Sequence, residues 1–215
     1  MNTTENLQVL YQIIKPQIEK RLIEFNRVWL HGSEHDIYKE LIFCLFTPQS
    51  KAERCWQAVE ELEEKNLFYN TNCQEIAACI RTFTRFHHTK ARNVIYFHRE
   101  VLQKVDRSFR KQLESFDDNK SIREWLVENI KGMGYKEASH FLRNIGMGAD
   151  LAILDRHILR KLMEFRIIEK LPTSLNTKTY IEIETKMKAW ATSLHMPVTH
   201  LDLLLWYQTT SKIFK

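Results

Sequence analysis

An all-α fold is what this sequence predicts, and three observations predict it. Apolar residues recur at steps of three and four along most of the chain. No segment sustains the alternation of period two that a half-buried strand requires. The 215 residues include only 5 Gly and 4 Pro, too few for the many tight turns of a sandwich, a barrel or a glycine-fingered nucleotide fold.

Leu7, Leu10, Ile14, Ile18, Leu22, Phe25 and Trp29 mark one face of a long first helix, which Pro16 is expected to bend or to shorten. Past Gly32 and Ser33, the unbroken apolar run Leu41 to Phe46 predicts a helix buried on all sides. Thr47-Pro48 is expected to end that helix and open the next, with Thr47 as N-cap and Pro48 in the first position. Further helices are predicted over about 72–80, 88–105, 107–116 and 121–131. Another runs from Tyr135 to Ile145 and stops at Gly146, one starts near Asp155, and two more cover about 177–194 and 199–210. Pro172 and Pro197 fall in connections, and there is no repeat, low-complexity tract or charge block. The expected organisation is one domain, 1–215, of two helical lobes: approximately 1–30 with 150–215, and 31–149.

Composition narrows the partners. A formal charge of +5 and a pI near 9.0 favour a polyanion. No stretch approaches the roughly 18 apolar residues of a membrane span, and the polar start from Asn2 to Asn6 does not resemble a signal peptide. A cytoplasmic, monomeric protein is expected. Cys44, Cys55, Cys73 and Cys79 form no Cys-x-x-Cys pair and read as small hydrophobes rather than metal ligands.

Four of the five glycines, Gly132, Gly134, Gly146 and Gly148, fall in one short window. Ile130-Lys131-Gly132-Met133-Gly134 joins two predicted helices, giving a helix–hairpin–helix over 121–146. Glycines there let the backbone approach another surface, and the free N–H groups of the new helix suit a phosphate oxygen. A tight turn with glycine for steric reasons is the plainer reading. Lys136 follows in the first helical turn, where the dipole disfavours a cation and so favours the neutral, nucleophilic amine. By itself it reads more readily as a solvated lysine that helps hold phosphate. Leu151-Ala152-Ile153-Leu154 then delivers Asp155 to a helix start. There it serves as an N-cap and as a rigid, ionised carboxylate able to stabilise developing positive charge; the two roles are compatible.

Gly132-x-Gly134-x-Lys136 with Asp155 nineteen positions after the lysine resembles the lysine-bearing branch of the helix–hairpin–helix DNA glycosylases. The strings from Lys136 to Asn144 and from Leu151 to Asp155 resemble the second, mostly archaeal 8-oxoguanine DNA glycosylase family more closely. So do Thr47-Pro48-Gln49-Ser50-Lys51-Ala52, Asp202-x-x-Leu205-Trp206-Tyr207 and the closing lysine. The resemblance implies a two-lobed helical fold with the active site between the lobes. It implies a glycosylase and AP lyase that removes 8-oxoguanine from double-stranded DNA, acting in the cytoplasm at the nucleoid.

By the same resemblance Lys136 would attack C1′ and form a Schiff base, with strand cleavage by β-elimination, while Asp155 would stabilise the oxocarbenium-like transition state. Lys215 would take part in telling 8-oxoguanine from guanine, through an acceptor for the N7 proton, with the terminal carboxylate the expected one and Ile213 and Phe214 as anchors. Trp206 would stack on the flipped base or belong to the core, and Gln49 would touch DNA near the lesion or fill its gap. Arg85 to Arg92, with Phe86, Lys90 and Arg92, reads as a DNA-facing wedge and phosphate patch or as an ordinary helix entry. Main-chain oxygens of Glu128, Ile130 and Met133 would hold a monovalent cation, Na or K, against the phosphate. No iron–sulfur cluster or other cofactor is expected, because no cysteine follows Cys79. Two rival functions stay open: a glycosylase for another oxidised base, and a non-enzymatic DNA-binding module.

Overall fold

The computed structural model describes residues 4–105 and 108–215. The expected 107–116 helix therefore begins on a residue outside the described ones, as does part of the polar start. Helix α1 (Thr4–His31) runs straight through Pro16. Proline removes the bond to the carbonyl of Gln12, and both residues face solvent, so water takes the bond's place without breaking the helix. Helix α2 (Glu34–Phe46) opens on Ser33, whose side chain accepts from the Asp36 amide while the Asp36 carboxylate accepts from the Ser33 amide. Every residue from Leu41 to Phe46 is buried, as a helix apolar all round should be.

Thr47 departs from expectation. It closes α2 as a C-cap and does not open the next helix, α3 (Ala52–Glu64), which starts five residues later after Lys51. The Thr47 hydroxyl donates to the Cys44 carbonyl (2.8 Å), a bond available at the end of a helix. Helices α4 (Cys73–Ile80) and α5 (His87–Tyr96) follow. The predicted 88–105 helix is broken by a π-helical turn, Phe97–Val101, before the short α6 (Leu102–Lys104). Then come α7 (Phe109–Glu114), α8 (Asn119–Asn129), α9 (Tyr135–Asn144), α10 (Arg156–Glu164), α11 (Thr177–Ser193) and α12 (Val198–Thr210). Among the described residues there is no strand.

The apolar residues form two cores. One gathers α2 to α9 around Phe43, Phe97, Phe109 and Phe141. The other joins Leu7, Tyr11, Ile14 and Ile18 of α1 to α10, α11 and α12. Helix α1 reaches both, because Val28 and Trp29 at its far end pack on the first core. Helix α9 lies at the junction. Its apolar residues Ala138, Phe141 and Leu142 belong to the first core, while its Arg143 pairs with Asp202 of α12. A second buried pair, Arg123 of α8 with Glu184 of α11 (2.7 Å), crosses the same boundary.

Gly132 sits in the α8–α9 hairpin at φ +87, where an added Cβ would overlap the Asn93 side-chain amide. Gly132→Ala is therefore expected to lower stability by about 1–3 kcal/mol in urea unfolding. Gly134→Ala should cost less, because its backbone is extended and the nearest atom is a movable Glu137 oxygen at 3.1 Å.

Burial holds the His98 imidazole down to about 4, partly offset by the Phe68 backbone. A base depressed on folding must be charged as the chain unfolds in acid, so stability is full above pH 6.5 and is lost as pH falls towards 4. Between pH 7 and pH 5 this one group should remove about 2 kcal/mol. His98→Gln, unfolded in urea at both pH values, should show a pH dependence smaller by that amount.

Candidate active site between the two cores

Helix α8 ends at Asn129, and Ile130 turns into extended backbone (φ −106, ψ 108). Ile130 and Met133 are buried and anchor the hairpin, with the Met133 amide donating to the Ile130 carbonyl (3.1 Å). Lys131 and Gly132 form its exposed tip. Gly134 is the N-cap of α9 and offers no side chain to the helix's first amides. Those N–H groups remain available to an outside acceptor, and the helix end carries partial positive charge. Glu128, the third residue expected to lend a carbonyl to a cation, is exposed on the last turn of α8.

Lys136 lies in the first turn of α9 with 21% of its side chain exposed. Its Nζ donates to Thr47 Oγ1 (3.1 Å) and lies 3.3 Å from Glu137 Oε1. The Thr47 proton is already committed to Cys44, so the hydroxyl turns a lone pair to the lysine. The other Glu137 oxygen accepts from the Gly134 amide (3.2 Å). The amine is thus held between the end of α2 and the start of its own helix. Sequence reasoning missed Thr47 in this part, because a Thr-Pro pair signals a helix boundary without saying what the hydroxyl faces.

Asp155 arrives on an extended segment whose backbone is satisfied by side chains from α11. Tyr180 donates to the Ala152 carbonyl (2.7 Å) and accepts from the Leu154 amide (3.2 Å). Glu184 Oε1 accepts from the Ala152 amide (2.9 Å) while it pairs with Arg123. Asp155 then caps α10 with a single oxygen, Oδ1, which accepts from the His157 and Ile158 amides at 2.7 and 2.8 Å. Oδ2 is not spent on the cap. Burial raises Asp202 to about 6, Arg143 opposes that rise, and the negative charge of nearby Asp155 adds to it.

Lys136, His140 and Arg143 share one face of α9 at steps of four and three. Burial, followed by the charges of Arg143 and Lys136, keeps His140 well below its usual range; the Lys215 backbone pulls the other way. Residues 213–215 close over this region, with Ile213 on the second core and Phe214 on the first. The Lys215 ammonium pairs with buried Glu40 and lies 3.4 Å from the centre of the Trp56 ring. Glu40 Oε2 in turn accepts from Asn144 (3.0 Å). Both lysines thus bond the same helix, Lys215 at the middle of α2 and Lys136 at its C-cap. Nothing local in the sequence marks Glu40, which is separated from its partner by 175 positions. Trp206 is half-buried, with its ring perpendicular to His157 at 5.3 Å.

Gln49 and Phe86 are both exposed and both left-handed (φ 55 and φ 57). Arg92 is exposed and bonds Thr89 (3.2 Å). Lys90 is not part of this surface. Its side chain turns inward, leaving 3% of the residue exposed, and donates to the Phe46 and Pro48 carbonyls and to Ser50 Oγ. Those acceptors consume its three protons, so none is left for a phosphate. All four cysteines are free, and burial pushes the Cys55 thiol up to about 11. Among the described residues no group of three or more His, Cys, Asp or Glu could hold a metal ion, and no helix is long and apolar enough to cross a membrane.

Residues 18–196 match the family model described as 8-oxoguanine DNA glycosylase. The chain is 39% identical over 209 residues to an 8-oxoguanine DNA glycosylase/AP lyase of Fusobacterium nucleatum, covering 97% of this chain and 96% of that one. The 8-oxoguanine DNA glycosylase of Thermotoga maritima superposes with a TM-score of 0.87 at 32% identity, covering 98% of this chain and 97% of the other. The Methanocaldococcus jannaschii 8-oxoguanine glycosylase/lyase, solved with a 15mer DNA containing 8-oxoguanine, gives 0.86 at 33% identity, covering 97% and 99%. With its hairpin, its lysine and its capping aspartate in one continuous match, the chain belongs to the 8-oxoguanine DNA glycosylase family.

Proposed function

We propose that this protein is a bifunctional glycosylase and AP lyase that excises 8-oxoguanine from double-stranded DNA. The observation that carries the reading is a near-full-length likeness to a glycosylase/lyase solved on 8-oxoguanine DNA, in a chain that holds Lys136 and Asp155 on helix starts beside the seam between its cores. The damaged nucleotide must leave the base stack to reach them. The Lys136 amine attacks C1′, forming an N–C bond as the C1′–N9 bond breaks and the base departs with a proton. Opening of the sugar gives an iminium. Loss of a C2′ proton then expels the 3′ phosphate. Asp155, its carboxylate held by two amides, stabilises positive charge on the sugar as the base leaves.

The hairpin grips a phosphate through Gly132, Gly134 and the open amides of α9. Main-chain oxygens of Glu128, Ile130 and Met133 are hard, neutral donors that suit Na or K. Ile130 keeps a second lone pair beyond the one given to Met133. Such a cation would add positive charge for the phosphate. Trp206 stacks on the flipped base, and a main-chain oxygen of Lys215 accepts the N7 proton that 8-oxoguanine has and guanine lacks. Guanine would meet that acceptor with another acceptor, an unpaired clash. Gln49, Phe86 and Arg92 face the duplex. The protein would act as a monomer on DNA of the nucleoid.

Lys136→Gln should abolish the borohydride-trapped covalent complex with an 8-oxoguanine duplex; persistence of trapping would remove Lys136 as the nucleophile. Asparagine caps helices as well as aspartate does. Asp155→Asn should therefore fold normally and bind the duplex, yet release base about a hundredfold more slowly. Equal losses of binding and rate would leave Asp155 only its cap. Faster excision of an oxidised pyrimidine than of 8-oxoguanine in a panel of duplexes would reassign the substrate.

A further inference from the structure

Six non-glycine residues in the described chain have positive φ. Four of them, Asn66, Arg166, His195 and Ser211, close helices at their C-termini, where a left-handed residue is ordinary. Gln49 and Phe86 do not. Gln49 is the third residue of a turn closed by the Ser50 amide on the Thr47 carbonyl (3.0 Å), a position that favours glycine or asparagine. Phe86 is the N-cap of α5 and makes no capping bond with its side chain. A bulky residue persists in this conformation only where its surroundings over-determine it. Both side chains are exposed, Phe86 to 58%, so the strain is not repaid by packing.

What holds both turns is the buried ammonium of Lys90. It bonds the Phe46 carbonyl at the end of α2 (2.5 Å), the Pro48 carbonyl (3.0 Å) and Ser50 Oγ (2.9 Å). Ser50 Oγ also accepts from the Arg85 amide (3.0 Å), so one hydroxyl joins the Gln49 turn to the Phe86 corner. No carboxylate is among the bonded partners of Lys90; the ionisable groups that act on it are Cys55 of α3 and Lys136 of α9. Burial lowers its affinity for a proton to about 8. An apolar side chain would fill the same space without that desolvation. The cation is explained by its three acceptors, all of which lie between Phe46 and Ser50.

We propose that Lys90 is a positioning residue, whose ammonium locks the Thr47–Ser50 turn and the Arg85–Phe86 corner so that Gln49 and Phe86 enter the duplex as one rigid two-pronged probe. The same turn carries Thr47, which holds Lys136, so the probe and the amine are set by one frame. The inference rests on the reading above that Gln49 and Phe86 contact DNA.

The test compares affinities for a duplex carrying the excision-resistant 2′-fluoro analogue of 8-oxodeoxyguanosine with those for the undamaged duplex, by fluorescence anisotropy. Lys90→Met should reduce the preference for the lesion about tenfold in the native background, and by no more than about twofold when Gln49→Ala and Phe86→Ala are already present. Equal losses in the two backgrounds would overturn the proposal, since a general effect on the fold is additive with loss of the probe. If Gln49→Ala with Phe86→Ala leaves the preference unchanged, the contact reading itself fails. Should Lys90→Met not fold, Ser50→Ala removes the joint alone and must show the same non-additive loss; an additive one counts against Lys90.

Discussion

The arrangement of this molecule depends on two buried ion pairs across the boundary between its cores. Arg143–Asp202 and Arg123–Glu184 are each at most about 5% exposed, and neither follows from core packing. Such pairs add little net stability compared with apolar residues of similar volume, but removing one partner strands a charge at a cost of about 3–5 kcal/mol. Their effect is on register. Arg143 fixes α9 against α12, and Arg123 and Glu184 fix α8 against α11 and against the strand-like segment that delivers Asp155. A slip between the lobes would break both pairs at once. Lys136 and Asp155 are carried on different cores, and these two pairs tie those cores together.

That seam explains why the functional groups sit at helix starts. An N-terminus supplies free amides, a local positive field and a residue whose direction is set by the chain before it. Here one start has a glycine N-cap and leaves its amides open; the other has Asp155 and uses its amides to hold a carboxylate. Two uses of the same backbone property stand side by side. One leaves its field open to solvent, and the other places an anion of the protein's own.

Much of this was legible in the sequence, and what was not has a common cause. Periodicity located the helices because one apolar face per helix suffices to define them, and Gly132 and Asp155 stood out because a hairpin glycine and an N-cap are local to a turn. Lys90 was misread as a surface cation beside Phe86. Its residue type and its neighbours Thr89 and Arg92 suggest solvent, and its acceptors lie 40 to 44 positions earlier. Thr47 was assigned to the wrong helix because a threonine before proline reads the same whether a helix ends or begins there. The Glu40–Lys215 pair, at opposite ends of the chain, leaves no local pattern at all.

Lys90, Thr47 and the Glu40–Lys215 pair all bear on one helix, α2. Its last carbonyls, from Cys44 and Phe46, carry the negative end of its dipole; the C-cap Thr47 bonds Cys44 through both its amide and its hydroxyl, and Phe46 accepts from the Cys55 thiol and the Lys90 ammonium. Lys90 and Cys55 come to this end from other helices, while Glu40, in the middle of α2, pairs with the Lys215 ammonium. A helix terminus buried in a core must find such donors, and each donor brings its own segment with it. The Phe86 corner arrives with Lys90, Lys136 with Thr47, and Lys215 with Glu40. One helix and its C-cap therefore gather, from three distant parts of the chain, the Phe86 corner, the Lys136 amine and the last residue described.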